Sequence, residues 1–178
     1  MPFDLRNALD NYAEADRNQF DIVTRFNQLL TEHAGCFERS CWAGHITGSA
    51  WIVDPAGERV LLTHHRKLDR WLQPGGHSDG DPDTLAVALR EAEEETGLTV
   101  SPVDRTIFDL DIHPIPARGD DPEHEHFDVR FALRALTTDY VVSDESHDLA
   151  WVAIDELTRY TDEESVLRMA RKWRERLG

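Results

Sequence analysis

The chain has 178 residues, 40% of them hydrophobic, and its formal net charge at pH 7 is −16. This size suits one domain with a hydrophobic core. The acidic balance disfavours binding to duplex nucleic acid and to anionic membranes. Residues 1–10 show no signal-peptide pattern, and no segment approaches the roughly 20 apolar residues that span a membrane, so we expect a cytoplasmic protein.

The predicted elements begin with helices at the N-terminus. Apolar residues at helical spacing predict helix over residues 4–34, with a break near Asp16 and an end at Gly35. We therefore expect residues 1–36 to form an N-terminal helical extension and residues 37–178 to form the main domain. The extension is either a homodimer surface or a cover for the sheet, and the sequence does not discriminate between the two.

Strand patterns follow the extension. Alternating and β-branched residues predict strands at residues 45–54, 59–64, 99–103, 106–113, 126–136 and 150–154, with a polar loop at 114–125. Apolar residues at Val166, Ala170, Trp173 and Leu177 predict a final amphipathic helix. Because strands and helices are interspersed and several strands form hairpins, we predict an α+β fold with a mixed sheet.

A further helix is predicted between Asp81 and Gly97. The side chain of Asp81 can cap its N-terminus, Pro82 suits the first helical position, and Gly97 suits the C-terminal end. At about 100° per residue, one broad face of this helix is apolar and should lie in the core; it carries Leu85, Ala88, Leu89 and Ala92.

Three glutamates converge on a second, narrower face of the same helix. Glu91 lies three and four residues before Glu94 and Glu95. Like charges at this spacing repel one another, and carboxylates are disfavoured near the negative end of a helix. The face is either a solvated acidic surface or a seat for a hard divalent cation. Since Arg90 alone cannot balance the charge, the cation is favoured.

This stretch resembles the sequence box of the Nudix hydrolase family. The box consists of Gly, five residues, Glu, seven residues, Arg-Glu, an aliphatic residue, any residue, Glu-Glu, any residue, Gly and an aliphatic residue. Here Gly76 opens the box and residues 90–98 close it in register. One position departs, because Pro82 stands where the first Glu is expected. Asp79, Asp81 or Asp83 could take over the role of that carboxylate.

The resemblance implies an α/β/α sandwich around a mixed sheet and a hydrolase that cleaves a pyrophosphate linkage with Mg²⁺ or Mn²⁺. It implies that Glu91, Glu94 and Glu95 hold the metal. The backbone carbonyl of Gly75 or Gly76 would be a further ligand, and Arg90 would orient the glutamates by bidentate pairing. The implied substrate is a small-molecule diphosphate, such as a nucleoside diphosphate derivative.

A general base must also take the proton from the attacking water. In several members of the family, a late glutamate before a tryptophan-bearing strand is a metal ligand or the base. Glu145, six residues before Trp151, is the candidate here, and an exposed loop acid is the alternative. The rival candidates are Glu123, Glu125 and Asp128.

Basic residues and histidines flank the glycines. Arg66 and Lys67 precede the glycine loop, where one of them could contact a phosphate; a solvated hairpin end is the alternative. His77 directly follows the glycines and is the best single candidate for contact with the substrate or with a ligand residue. The nine histidines have neither a cysteine partner nor a His-x₃-His spacing, so the sequence does not predict a zinc site.

Two other functions compete with hydrolysis. A relative of isopentenyl-diphosphate isomerase would share the fold, but that chemistry uses a cysteine just beyond the position of Gly75 and Gly76, where this chain has no cysteine. A catalytically silent Nudix domain that senses a nucleotide is favoured by Pro82. The intact set of glutamates argues against it.

Overall fold

The computed structural model describes residues 2–66, 68–144 and 146–178. The helices in this part of the chain are α1 (Leu5–Ala15), α2 (Phe20–Glu32), α3 (Thr84–Thr96) and α4 (Glu164–Leu177), with short 3₁₀ helices at Arg17–Gln19 and Ile154–Arg159. The strands are β1 (His45–Val53), β2 (Arg59–His65), β3 (Arg70–Leu72), β4 (Gly75–His77), β5 (Val100–Pro102), β6 (Asp109–Ile115), β7 (His124–Ala135) and β8 (Ser146–Ala153). None of the described helices is long and apolar enough to cross a membrane.

The strands form one eight-stranded sheet. The order β3-β2-β1-β7-β5 is extended by β4 on β1, β6 on β7 and β8 on β2. The ladders of β2 with β8 and of β6 with β7 are antiparallel. The predicted α+β class with a mixed sheet is confirmed.

The chain divides into two compact units. One comprises Met1–Ser49, Gly76–Ala88 and Arg105–Phe131, and the other comprises Ala50–Gly75, Leu89–Asp104 and Ala132–Gly178. Each has a buried apolar core, with Leu9, Phe26, Ile46, Leu85, Val87 and Phe131 in the first and Trp51, Ile52, Leu61, Leu62, Ala92 and Trp173 in the second. The domain boundary at residue 36 stays a prediction.

The N-terminal helices agree with the prediction. Helix α1 ends at Asp16, whose backbone N–H donates to the carbonyl of Tyr12, and the Asp16 side chain then caps the following 3₁₀ helix by accepting from the N–H of Asn18. The predicted break near Asp16 is therefore confirmed. It arises because a short polar side chain competes with the helical backbone for hydrogen bonds.

The β6–β7 hairpin is longer than predicted at its turn. The ladder continues to Ile115 opposite His124, so the predicted loop at 114–125 contracts to residues 116–123. Pro114 does not stop β6 because this strand lies at an edge of the sheet, where a missing backbone donor is tolerated. The sequence does not predict the three-residue strands β3 and β4, since they are too short to show a period.

The predicted start of α3 is wrong by two residues. The helix begins at Thr84, not at Pro82. The cap is Asp83, whose Oδ1 accepts the N–H of Ala86 at 2.9 Å, whereas Asp81 accepts the N–H of Asp83 in the preceding turn. The end at Gly97 is confirmed: Gly97 has φ of +67° and donates its N–H to the carbonyl of Glu93.

Candidate active site

The acidic residues of the predicted box lie in the C-terminal half of α3. Glu94 is exposed, Glu91 is half-buried and Glu95 is buried, with 6% of its surface exposed. The carboxylate oxygens of these three residues do not all lie within 4.8 Å of one another. Their role as metal ligands stays a prediction.

Arg90 pairs with the first of the three glutamates. Its Nη2 donates to Oε1 of Glu91 at 3.1 Å, and the guanidinium is partly exposed. This contact restricts the rotamers of Glu91. The orienting role of Arg90 through bidentate pairing stays a prediction.

The glycine loop is bonded to the end of α3. The backbone N–H of Gly75 donates to Oε1 of Glu95 at 2.7 Å. The loop is also bonded to β1, because the carbonyl of the buried Pro74 accepts the N–H of Ala50 at 2.9 Å. These contacts bring Gly75 to the buried glutamate, although the two are 20 positions apart in the chain.

The three aspartates near Pro82 all accept hydrogen bonds, Asp81 from the N–H of Asp83. Arg39 donates to both oxygens of Asp79, each at 2.7 Å. Asp83 accepts from Ala86 as the helix cap and, through Oδ2, from the N–H of Phe3 at 2.9 Å. These bonds explain how the turn is stabilised with Pro82 in place of the expected glutamate.

The basic stretch before the glycines makes contacts within its own unit. Arg66 is exposed and donates from Nη2 to the carbonyl of Ser146 at 3.1 Å, and Arg70 forms an ion pair with Glu163. Lys67 and Glu145, the candidate base, lie outside the described residues. Phosphate contact by the basic stretch stays a prediction.

The rival bases differ in their surroundings. Asp128 is buried, and its two oxygens accept from Thr47 at 2.9 Å and from Ser49 at 2.7 Å. Glu125 pairs with Arg25 at 2.5 Å, and Glu123 is exposed. Asp128 is thus part of a buried polar network, an environment that fixes a carboxylate rather than leaving it available to water.

Three histidines that the sequence does not link lie together. One ring nitrogen from each of His45, His77 and His126 lies within 4.8 Å of the other two, and no other described group of three or more His, Cys, Asp or Glu residues meets this spacing. His45 begins β1, His77 ends β4 and His126 lies in β7. The sequence analysis selected His77 as a contact residue but did not select His45. Nothing in the sequence around His45 distinguishes it from a core residue at the start of a strand.

Burial and mutual proximity keep His45 and His126 neutral. Burial, together with the nearby His77, lowers the pKa of His45 from 6.5 to about 4. Burial and the neighbouring histidines, His45 first among them, lower the pKa of His126 to about 2. Both side chains are therefore neutral imidazoles at pH 7, each with a lone pair on one ring nitrogen.

The chain has an α+β fold with a mixed sheet, and a glycine loop is bonded to its acidic helix α3. These are the features expected of a Nudix domain. The family model described as the NUDIX domain matches residues 45–173, and the chain belongs to the Nudix family.

Solved structures agree with this assignment. The chain is similar to a NUDIX-family hydrolase from Clostridium perfringens, with 25% identity, a TM-score of 0.54, and coverage of 75% of this chain and 98% of that one. It has the fold of the MutT protein of Methanosarcina mazei, with 22% identity, a TM-score of 0.62, and coverage of 75% and 94%.

A curated relative matches a shorter segment. The m7GpppN-mRNA hydrolase NUDT17 of Danio rerio is 40% identical over 60 residues, which are 31% of this chain and 20% of the relative. The match thus spans about a fifth of that protein's length.

Proposed function

We propose that this protein is a divalent-cation-dependent hydrolase that cleaves a pyrophosphate linkage in a nucleoside diphosphate derivative or a related small molecule. The observation that carries the proposal is the hydrogen bond from Gly75 to Glu95. It joins the two parts of the sequence box, the glycine loop and the glutamates of α3, in one place.

The donor set suits a hard cation. Carboxylate and carbonyl oxygens are the ligands that Mg²⁺ and Mn²⁺ prefer. In the proposal Glu91, Glu94 and Glu95 hold the metal, with the carbonyl of Gly75 or Gly76 as a further ligand. When bound, the cation neutralises charge on the phosphates and makes water more acidic.

The protein residues supply orientation and proton transfer. Arg90 restrains Glu91 through their ion pair. The Gly75 N–H donates to one oxygen of Glu95, and this hydrogen bond orients the carboxylate toward the glycine loop. Glu145 is proposed to be the base that takes the proton from the attacking water, or the last metal ligand.

The substrate class follows from charge and from the relatives. A chain with net charge −16 repels a free polyphosphate unless a cation lies between them. Similar folds include an Ap4A hydrolase from C. elegans, at 18% identity with a TM-score of 0.53, and a dihydroneopterin triphosphate pyrophosphohydrolase from E. coli, at 17% with a TM-score of 0.57. The names of both proteins indicate phosphorylated small molecules, which is the class proposed here.

The test is a substrate panel with a matched pair of variants. Nucleoside diphosphate derivatives, nucleoside triphosphates, dinucleoside polyphosphates and short-chain diphosphates are each assayed for phosphate or pyrophosphate release with Mg²⁺, with Mn²⁺ and with a chelator. Glu94→Gln should lower turnover at least about 100-fold, since bound metal supplies several kcal/mol of transition-state stabilisation. Glu93→Gln, an exposed position on the same helix, should leave turnover unchanged.

One outcome would contradict the proposed metal ligands, and another would contradict the hydrolase. Equal loss of turnover in Glu93→Gln and Glu94→Gln would show that the effect is not specific to the proposed ligands. Binding of panel compounds without turnover of any of them would instead support the silent nucleotide-sensing module.

A further inference from the structure

The histidine cluster is defined by His45, His77 and His126, and its geometry is compact. The ring centroids lie 5.1 Å apart for His45 and His77, 4.6 Å for His45 and His126, and 5.0 Å for His77 and His126. The three rings thus form a nearly equilateral triangle, contributed by three different strands of one compact unit.

The tautomer of His45 leaves one buried ring nitrogen with a lone pair that can bind a ligand. Its side chain is 1% exposed, and its Nδ1 lies 3.4 Å from the carbonyl oxygen of Cys41. A carbonyl only accepts hydrogen bonds, so Nδ1 carries the proton and Nε2 carries the lone pair. Nε2 is buried without a hydrogen-bond partner among the described residues. A buried polar atom in that state is costly unless something binds it.

Two further histidines, His124 and His113, lie beside the cluster. The ring of His124 lies 4.8 Å from that of His45, and its Nδ1 donates to the carbonyl of Pro122 at 2.8 Å. The ring of His113 lies 5.5 Å from that of His126, and its Nδ1 is 3.1 Å from Oδ2 of Asp111. Imidazoles held by a carbonyl or carboxylate on one nitrogen are typical of metal ligands, because that bond selects the tautomer.

We propose that His45, His77 and His126 form a second metal site, which binds Zn²⁺ or another late first-row dication through three imidazoles. Neutral imidazole is a ligand for zinc, copper, nickel and iron, whereas Mg²⁺ prefers oxygen. Zinc lies about 2.0–2.1 Å from each imidazole nitrogen in a tetrahedral site, so the nitrogens must close to roughly 3.4 Å. Three ligands leave a fourth position open to water or to an anionic oxygen. The ligands of this site are imidazoles, whereas those of the proposed hydrolase are carboxylate and carbonyl oxygens.

The test is a zinc titration of the full chain after removal of metals by chelator and dialysis. Excess Mg²⁺ in the buffer occupies carboxylate sites, and calorimetry measures stoichiometry and affinity. We expect one equivalent of zinc. His77→Ala and His126→Ala should each weaken binding by more than the roughly 10- to 100-fold that follows loss of an outer-sphere partner. A parallel Co²⁺ titration should give visible absorption bands that both variants lose.

The matched controls are His147→Ala, an exposed histidine outside the cluster, and Glu94→Gln. Both should bind zinc as the unmodified protein does. His77 is half-buried on a three-residue strand, so His77→Ala should fold even if His126→Ala does not, and circular dichroism checks this. The proposal is overturned if folded His77→Ala binds zinc with unchanged affinity, or if the unmodified chain binds no zinc at micromolar concentrations.

Discussion

The backbone N–H of Gly75 donates to Oε1 of Glu95 at 2.7 Å, and Glu95 is the most buried of the three box glutamates. A carboxylate that accepts a backbone N–H is held in one rotamer. The same side chain can therefore position the glycine loop and contribute negative charge to a cation site. Substitutions can separate these two roles.

Glu95→Gln should lower Mn²⁺ affinity at least about tenfold, because the charge of the ligands tunes cation affinity. Its amide oxygen still accepts the Gly75 N–H, so the melting temperature should stay close to that of the unmodified protein. Glu95→Ala should lower the Mn²⁺ affinity by a similar factor. It should also lower the free energy of unfolding by about 1.5–3 kcal/mol, since a hydrogen bond to a charged group is lost. Mn²⁺ calorimetry and urea unfolding measure the two effects. Unchanged Mn²⁺ affinity in Glu95→Gln would exclude Glu95 as a ligand.

Arg130 is a buried charge on which the packing of one unit depends. Its guanidinium is 2% exposed and contacts Asp109, Asp111 and Asp128 at 3.3, 3.1 and 2.8 Å. Burial alone would lower the pKa of Arg130, but the three aspartates raise it. The guanidinium therefore stays charged and compensates three carboxylates in the interior.

Arg130→Met should lower the free energy of unfolding by about 3–5 kcal/mol, because it leaves buried carboxylates without their partner. Arg159→Ala is the control, since it removes an exposed ion pair with Glu156 and should cost no more than about 1 kcal/mol. Urea denaturation compares the two. A loss in Arg130→Met as small as in the control would show that the carboxylates protonate or rearrange at little cost.

Gly48 allows the first turn of α3 to approach β1. A Cβ at this position would lie 2.9 Å from the carbonyl oxygen of Thr84 and 2.9 Å from Cγ1 of Val87. Gly48→Ala should therefore destabilise the protein by about 1–3 kcal/mol through overpacking. Gly35→Ala is the matched control, because a Cβ added at Gly35 would meet nothing within 4 Å. Thermal unfolding of both variants checks the prediction, and equal melting temperatures would contradict it.

The carboxylate of Asp54 makes the stability of the folded protein depend on pH in the acid range. Burial raises its pKa, but hydrogen bonds from the backbone and side chain of Arg59 and from the N–H of Glu58 outweigh burial, so the pKa in the folded protein lies below the ordinary 3.8. Since the folded pKa is depressed, the stabilisation is complete above about pH 4 and is lost as pH falls through the folded pKa.

Asp54→Asn should accordingly cost about 1.5–3 kcal/mol at pH 7, where the charged hydrogen bonds are present. The difference from the unmodified protein should narrow as the pH is lowered below 3.8. Urea unfolding at pH 7, 4 and 3 measures it. A difference that stays constant across these pH values would show that the charge of Asp54 contributes nothing.

The sequence alone could predict those features whose physics is local. The break at Asp16, the end of α3 at Gly97 and the acidic face of α3 follow from hydrogen bonding and helical spacing within a few residues. The start of α3 is harder to predict because Asp81 and Asp83 are both good caps, and the bond from Phe3 to Asp83 joins residues 80 positions apart.

Only the tertiary structure decided which distant residues meet. His45, His77 and His126 each look ordinary in their own segment, and they converge because β1, β4 and β7 are joined in one sheet. The bond between Gly75 and Glu95 depends in the same way on the path of the loop after β3. Helical periodicity determines which side chains share a face, whereas strand pairing brings residues together across any sequence separation, so the histidine cluster carries no local signal.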